Sequence, residues 1–184
     1  MLNLKSPRLI LRPFRDPDLD VFAEYRSDPD VARYQSWTPP YTKDQAIALM
    51  KGMDSIQPGT PGMWLQLAVE RQCQPGIIGD CAFQVFADGP RQAQVGYTFS
   101  RSYQKQGYAA EAVRCLLDYL FGELHLHRVT ATCDVENTAS FRLLERVGMR
   151  REAFLVENIW FKGAWGSEYK YAILDREWVG RDPQ

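Results

Sequence analysis

Apolar and polar residues near the N-terminus follow first a strand pattern and then a helical one. A short strand is predicted over residues 9–11. Apolar residues then recur at helical spacing after Asp16, which we expect to cap a helix that has Pro17 in its first position. Thr42 and Gln45 form a capping-box pattern before a second helically spaced set. Two helices are therefore predicted before residue 57.

Extended segments follow a stretch rich in Pro and Gly. Turn residues at 75–76 and 88–90 separate these segments. The segments cover residues 63–70, 77–86 and 92–99. Because short turns join them, an antiparallel meander is predicted.

The second half of the chain changes to a strand, helix, strand order. Apolar positions repeat every 3.6 residues from 109 to 121, and they alternate with polar ones from Arg128 to Cys133. A crossover helix between them makes the strands that end at Phe99 and Cys133 parallel. The remaining predicted elements are a helix over 138–146 and two strands, 154–161 and 168–174. We predict one α+β domain over residues 1–184.

Composition and charge exclude several classes of protein. The 184 residues are 45% hydrophobic, and 22 Lys and Arg nearly balance 23 Asp and Glu, for a net charge of −1. This balance gives no general attraction to nucleic acid or to an anionic membrane. No apolar run approaches the roughly 18 residues of a membrane span, and the N-terminus has no signal-like core. We expect a cytoplasmic protein with no nucleic-acid or membrane partner.

The cysteines and histidines show no metal-binding pattern. No CxxC spacing occurs, and each cysteine lies in an apolar segment, where a free thiol packs as a small hydrophobe. The cysteines are Cys73, Cys81, Cys115 and Cys133. His125 and His127 are expected on the surface. We therefore predict no metal cofactor.

A segment suited to binding phosphate lies just before the long helix. The start of that helix leaves backbone N–H groups without partners, and the positive end of its dipole attracts anions. Gly107 allows the main chain to approach an anion closely. A loop whose glycine only permits a turn explains the same residues equally well. Neither GxGxxG nor GxxxxGK[ST] is present, which argues against the two commonest nucleotide-binding folds.

Asn137 and Ser140 form a second candidate site after the strand that ends at Cys133. Asn137 is a good N-cap, and Ser140 lies in the first helical turn. Capping alone also explains Asn137 and leaves Ser140 as a tolerated polar residue. Both helices follow strands predicted to be parallel, so both begin at the same edge of the sheet, where open sheets bind ligands.

These residues resemble the GNAT superfamily of N-acetyltransferases, and within it the RimJ/RimL-like branch of ribosomal-protein N-terminal acetyltransferases. The resemblance covers nearly the whole chain. The matching motifs are PRLILRP at 7–13, VGY at 95–97, residues 104–109 with Glu111 and Ala112, Asn137 with Ser140, LERVGM at 144–149, and the closing pair of strands.

The resemblance implies a fold and a coenzyme. The fold is a mixed, mostly antiparallel twisted sheet with splayed parallel central strands and flanking helices, in which Gly96 forms a bulge. The co-substrate is acetyl-CoA, with its diphosphate on backbone amides near residues 104–110 and its pantetheine arm paired like an extra strand. The implied coenzyme-binding residues are Tyr97, Thr98, Phe99, Gln104, Lys105, Gln106, Gly107, Tyr108, Ala109, Ala110, Asn137 and Ser140.

Amine acetylation requires hydrogen-bond donors for an oxyanion and a donor for the departing thiolate. Backbone N–H groups near Tyr97 or Thr98 are expected to serve the oxyanion. Many relatives use a tyrosine as the acid, but the nearest equivalent here is Leu144, which has no proton to give. Ser140 is therefore the candidate, as a hydrogen-bond donor to sulfur more than a full proton source.

The general base is less well defined. Many relatives have a glutamate where this chain has Gln94. Some RimL-like members carry a carboxylate near Ile159, and Glu157 lies two residues earlier, on the same face of a regular strand. A solvated surface glutamate explains Glu157 as well. Asp134 and Glu136, or a water chain, are the alternatives.

Aromatic and basic residues suggest further contacts. Arg150 and Arg151 form either a solvated strand entry or a contact to the adenosine 3′-phosphate. The aromatic residues that form either a pocket wall or core and dimer contacts are Trp37, Tyr34, Tyr41, Tyr103 and Trp160.

The leading hypothesis is an acetyl-CoA-dependent N-acetyltransferase that acts on a primary amine by direct transfer in a ternary complex. The amine is a protein N-terminus or a small molecule, and a second copy of the chain is a candidate partner. The alternative is a non-catalytic CoA-binding sensor or scaffold, suggested by Gln94 and Leu144. A third hypothesis is that the protein binds a nucleotide or a phosphorylated metabolite.

Overall fold

A mixed β-sheet forms the centre of the computed structural model, which describes residues 2–179. Within these residues the sheet has eight strands in the order β1-β2-β3-β4-β5-β6-β8-β7. The strands are β1 (Leu4–Lys5), β2 (Leu9–Arg12), β3 (Trp64–Arg71), β4 (Gln74–Val85), β5 (Gln92–Phe99), β6 (Arg128–Asp134), β7 (Arg150–Phe161) and β8 (Ala164–Leu174). Strands β5 and β6 pair in parallel, whereas the other neighbours are antiparallel.

Helices cover both faces of the sheet. They are α1 (Leu19–Ser27), α2 (Pro29–Ala32), α3 (Lys43–Met53), α4 (Tyr108–Gly122), α5 (Thr138–Arg146) and α6 (Asp175–Val179). One face packs against α1 and α3 around the buried Phe22, and the other forms the main core with α4 around Leu116 and Leu117. The predicted mixed α+β fold with flanking helices is confirmed.

The central parallel strands separate after a short paired stretch. Their pairing covers only three positions and stops at Gln94 opposite Thr130, although both strands continue. The predicted splay is present, but the predicted bulge at Gly96 is wrong. Gly96 pairs with Ala82 in an unbroken β4–β5 ladder, so β5 stays with β4 while β6 stays with β8. The free edge of β5 therefore begins after Gln94.

The two predicted N-terminal caps had different outcomes. Thr42 Oγ1 accepts a hydrogen bond from Gln45 N at 3.2 Å, and Gln45 Oε1 accepts one from Thr42 N at 2.7 Å, which confirms the capping box. The cap predicted at Asp16 is wrong. A 3-10 turn precedes α1, and Asp18 accepts from Arg15 N at 2.7 Å. Asp18 occupies this place because it also neutralises the buried Arg12.

Turn positions differ by a few residues from those predicted. The β3–β4 turn lies at residues 72–73 rather than 75–76, since a register shift near Glu70 accommodates Gly76 at φ +104° inside the strand. Cys73 is consequently exposed, contrary to expectation, whereas the other three cysteines are buried free thiols. The last hairpin turns at residues 162–163, so its strands are longer than predicted.

Within residues 2–179, no helix has the length and apolar character that crossing a membrane requires.

Candidate functional site

A cavity of about 680 Å³ lies beside the free edge of β5. Its walls come from α2, the end of β5, the loop before α4 with the start of that helix, and one side of α5 from its N-cap to Arg146. All of the predicted coenzyme-binding residues line it except Gln106. The two segments that the sequence placed at one sheet edge therefore meet around a single cavity.

The start of α4 faces this cavity. Gly107 is the N-cap residue at φ +83°, a left-handed conformation that favours glycine, and Lys105 before it has φ +60°. Helix geometry leaves the first backbone N–H groups of α4 without helical partners. Gly107, Tyr108, Ala109 and Ala110 line the cavity. This wall has the polarity and close backbone approach that a phosphate requires.

A carboxylate that the sequence analysis left without a role holds this loop in place. Glu111 accepts hydrogen bonds from Ser6 Oγ and Arg8 N, both at 2.8 Å, and from Arg8 Nε at 2.6 Å. Burial raises the Glu111 pKa, but these bonds outweigh it and lower the pKa overall. These bonds hold the residues just before β2 against the first turn of α4.

Gln106 turns away from the cavity. Its side-chain amide donates to the Ser102 carbonyl at 2.9 Å, and its own carbonyl accepts from Arg8 NH1 at 3.2 Å. The side chain stabilises the loop, and the lining does not include it.

Two hydroxyl groups meet on the α5 side of the cavity. Asn137 Oδ1 accepts from Ser140 N at 3.1 Å, which confirms the predicted cap. Ser140 Oγ lies 2.8 Å from Tyr97 Oη. Burial raises the pKa of the Tyr97 hydroxyl well above its ordinary value, so it stays protonated near neutral pH. Burial also raises the pKa of Cys133 to about 11.

Glu157 does not line the cavity that contains Ser140. It sits in the irregular part of β7 at φ +46°, where pairing with β8 is interrupted between Leu155 and Ile159. Its backbone N donates to Ser167 Oγ at 2.9 Å, and its side chain is exposed. Side chains of a regular strand alternate between its two faces, but this alternation is interrupted at the bulge. A spacing of two residues therefore does not place Glu157 on the same face as Ile159. Glu157 lines neither this cavity nor the smaller one described next.

A smaller cavity of about 320 Å³ contains the alternative carboxylates. Asp134, Glu136 and Trp165 are among its lining residues. Asp134 Oδ1 accepts from Glu136 N at 2.7 Å, and Glu136 is 3.5 Å from the Arg33 guanidinium. Because Cys133 points into the α4-side core, its neighbour Asp134 points to the opposite face of the sheet.

The other residues singled out from the sequence are dispersed. Tyr34 and Tyr103 line the larger cavity, Trp37 and Tyr41 pack around Arg26, and Trp160 is exposed beside Trp165. Arg150 pairs with Glu152 and Glu177, and Arg151 lies 3.6 Å from Glu145. Both histidines are exposed, as predicted. Among residues 2–179 there is no group of three His, Cys, Asp or Glu side chains placed to hold a metal ion.

A buried carboxylate under α1 went unnoticed in the sequence. Asp80 is 1% exposed and accepts hydrogen bonds from Tyr25 and Gln66, with Arg26 at 3.6 Å. The Asp80 carboxylate raises the pKa of Tyr25 further, beyond the effect of burial. With all its partners inside the protein, Asp80 has a structural role in docking α1 on the sheet.

Comparisons with known proteins agree with this geometry. A family model described as "Acetyltransferase (GNAT) domain" matches residues 8–150. The "Uncharacterized N-acetyltransferase YnaD" of Bacillus subtilis (strain 168) is 34% identical over 180 residues, which cover 96% of this chain and 99% of that protein.

Two solved structures are similar to the whole chain. The GNAT-family acetyltransferase from Bacillus anthracis is 32% identical, with a TM-score of 0.86 over 96% of this chain and 100% of that one. Mycobacterium smegmatis RimJ in complex with CoA-disulfide is 24% identical, with a TM-score of 0.79 over 98% of this chain and 89% of that one. At that identity, the second likeness concerns the fold alone.

Proposed function

Since the chain belongs to the GNAT acetyltransferase family and is an N-acetyltransferase, we propose that it moves the acetyl group of acetyl-CoA to a primary amine by direct attack in a ternary complex. The family uses acetyl-CoA as its acyl donor. In this proposed role, residues 1–184 form one catalytic domain that acts in the cytoplasm without a metal.

The observation that carries the proposal is the cavity between the free edge of β5 and the start of α4. The diphosphate of the coenzyme is assigned to the backbone N–H groups at Gly107–Ala110. Beyond Gln94, the β6-side backbone groups of β5 have no partner on β6. The amides of a pantetheine arm can pair with that edge as a strand would.

Ser140 is assigned the stabilisation of the leaving group. When the tetrahedral intermediate collapses, the carbon–sulfur bond breaks and the thiolate needs a hydrogen-bond donor. The Tyr97 hydroxyl lies 2.8 Å from Ser140 Oγ. In the proposed reaction Tyr97 donates this hydrogen bond, and the single Ser140 proton points toward the sulfur. Backbone N–H groups near Tyr97 and Thr98 are assigned to the oxyanion.

Asp134 replaces Glu157 as the proposed base. It is the last residue of β6, in the part of the strand that has separated from β5. Because it follows Cys133, it faces the side of the sheet opposite Ser140. An amine that enters from that side reaches the thioester across from the leaving group. The aromatic Trp165 and the carboxylate of Glu136 line the same small cavity and suit a cationic amine.

The acceptor is assigned to two classes, a protein N-terminus and a small-molecule amine. The first is the class that the RimJ/RimL-like motifs imply, and the second follows from the same attack geometry. The homodimer stays a prediction.

Titration and acetyl transfer with the Gly107→Glu variant test the proposal. A glutamate there places negative charge at the phosphate wall, and its Cβ lies 3.3 Å from Arg8 NH2. Gly163→Glu is the matched control, because Gly163 also has positive φ (+87°) but lies in the open β7–β8 turn. Calorimetry should show acetyl-CoA binding to wild type and the control, with at least a hundredfold loss for Gly107→Glu.

Acceptor-dependent thiol release, measured with N-terminal peptides and polyamines, completes the test. Release with at least one amine class is expected from wild type and from Gly163→Glu. Equal coenzyme affinity of the two glycine variants contradicts the phosphate assignment. Coenzyme binding without release for any amine identifies a coenzyme sensor, and stronger thermal protection by ATP than by CoA identifies a nucleotide binder.

A further inference from the structure

Positive charge is concentrated on the α5 wall of the larger cavity. Arg142 and Arg146 both line this cavity, and both are exposed. They are four residues apart in α5, so their side chains lie one helical turn apart on the same face. Lys105 adds a third positive charge from the loop before α4.

These two arginines have no acidic partner, unlike most arginines nearby. Arg8, Arg33 and Arg101 each lie within ion-pair distance of a carboxylate. Within residues 2–179, the guanidinium groups of Arg142 and Arg146 form no ion pair or hydrogen bond. Arg146 contributes only its carbonyl, which accepts from Arg114 NH2 at 3.0 Å. Two unneutralised charges one turn apart in a cavity wall favour an anionic ligand.

The two arginines that the sequence suggested as contacts for the 3′-phosphate already interact with other side chains of the protein. Arg150 is bound by Glu152 and Glu177, and Arg151 lies over the Tyr169 ring, 4.3 Å from its centroid. Neither lines the cavity. A 3′-phosphate contact from the protein therefore has to come from other residues.

From this arrangement we infer that Arg142 and Arg146 form a phosphomonoester subsite, and that the group it holds is the 3′-phosphate of the CoA ribose. The inference rests on the proposed function, which assigns the diphosphate to the start of α4. The 3′-phosphate is a separate anion on the nucleotide and needs donors of its own. A phosphomonoester carries nearly two negative charges and three acceptor oxygens, which the guanidinium fork bonds in pairs.

The subsite makes the enzyme selective for CoA over dephospho-CoA, which lacks only that phosphate. Each charge-assisted hydrogen bond contributes on the order of tenfold in affinity. Arg142 and Arg146 provide the selectivity because they bind the 3′-phosphate. The β5 edge and the start of α4 provide the affinity for the pantetheine arm and the diphosphate.

Calorimetric titration of wild type with CoA and with dephospho-CoA tests the inference. The variants are Arg142→Gln, Arg146→Gln and the double variant. Arg176→Gln is the matched control, an exposed arginine on α6 that does not line the cavity. Wild type and the control should bind CoA at least tenfold more tightly than dephospho-CoA. Each single variant should reduce this ratio, and the double variant should bring it near one without changing dephospho-CoA affinity more than about twofold.

Three results overturn the inference while leaving the proposed function intact. They are equal affinity of wild type for both nucleotides, an unchanged ratio in the double variant, and an equal loss of both affinities. Failure of wild type to bind either nucleotide contradicts the proposed function as well. Thermal unfolding of the ligand-free variants, expected within about 2 °C of wild type, verifies that the fold is intact.

Discussion

Two hydroxyl groups that lie far apart in the sequence share one hydrogen bond at the cavity. Tyr97 and Ser140 are 43 residues apart, and their oxygens are 2.8 Å apart. Tyr97 was expected to contribute only its backbone. Its side chain also lines the cavity beside the Ser140 hydroxyl, and we propose that it is a positioning residue that orients the serine proton.

We expect Ser140→Ala to lower kcat about ten- to hundredfold with little change in the Kd of acetyl-CoA, because the lost donor acts on the departing thiolate. Tyr97→Phe should cause a smaller loss of kcat, and the double variant should be no worse than Ser140→Ala. Steady-state kinetics and calorimetry on the same preparations measure both quantities. Additive losses in the double variant would show that the two hydroxyls act independently.

The two carboxylates proposed as base can be separated by one pair of variants. Asp134→Asn should lower kcat about a hundredfold or more near neutral pH, because the attacking amine must lose a proton. Glu157→Gln removes the same charge from an exposed side chain that lines neither cavity, and it should leave kcat within about twofold of wild type. A larger loss for Glu157→Gln than for Asp134→Asn reverses the assignment.

At the scale of elements, the edge of the sheet is held by charges that cross strands. Glu152 lies at a bulge of β7 and reaches Arg128 on β6 and Arg150 on its own strand, while Arg150 also binds Glu177 on α6. The hydrogen bond from Arg128 is the largest contribution that lowers the pKa of Glu152, to about 2. This network ties β6, β7 and α6 together.

A lowered folded-state pKa stabilises the protein above the ordinary glutamate pKa, and that stabilisation is lost as the pH falls toward about 2. Glu152→Gln should therefore lower Tm by about 2–4 °C at pH 7, the effect of roughly 1 kcal/mol in a chain of this size. The difference from wild type should shrink steadily from pH 5 to pH 3. Calorimetric Tm values across this range, with Glu157→Gln as control, provide the measurement. A difference that does not depend on pH would exclude the ion network as its cause.

At the scale of the molecule, the N-terminal helices close the cavity that the sheet opens. Asp30, Val31 and Tyr34 line the cavity from α2 and the residues after it. Several contacts hold this region to the rest, among them the ion pair between Arg33 and Glu136. Arg101 pairs with Asp28 and Asp30, Lys162 Nζ donates to the Ala32 carbonyl at 2.7 Å, and Tyr34 Oη donates to the Glu136 carbonyl at 3.4 Å. The site thus draws on segments from residue 30 to residue 146.

The sequence alone predicted the longer helices and strands and the loop before α4, but not the short elements β1, α2 and α6. Thr42, Gln45, Gly107 and Asn137 all stand at the helix starts predicted for them. The reason is that caps and periodicity depend on interactions within a few residues. The order of strand, helix and strand then predicted the parallel pair of strands, and with it a common sheet edge for the two helices that line the larger cavity.

Tertiary structure decided which side chains meet. A bulge in β7 interrupts the alternation from which Glu157 was predicted to share a face with Ile159, and the β5–β6 separation begins without a bulge at Gly96. The pairing of Tyr97 with Ser140 and the unpaired charges of Arg142 and Arg146 depend on how α5 packs beside β5 and α4. Register shifts and helix packing place residues dozens of positions apart within a few ångströms, and no local pattern encodes these distances.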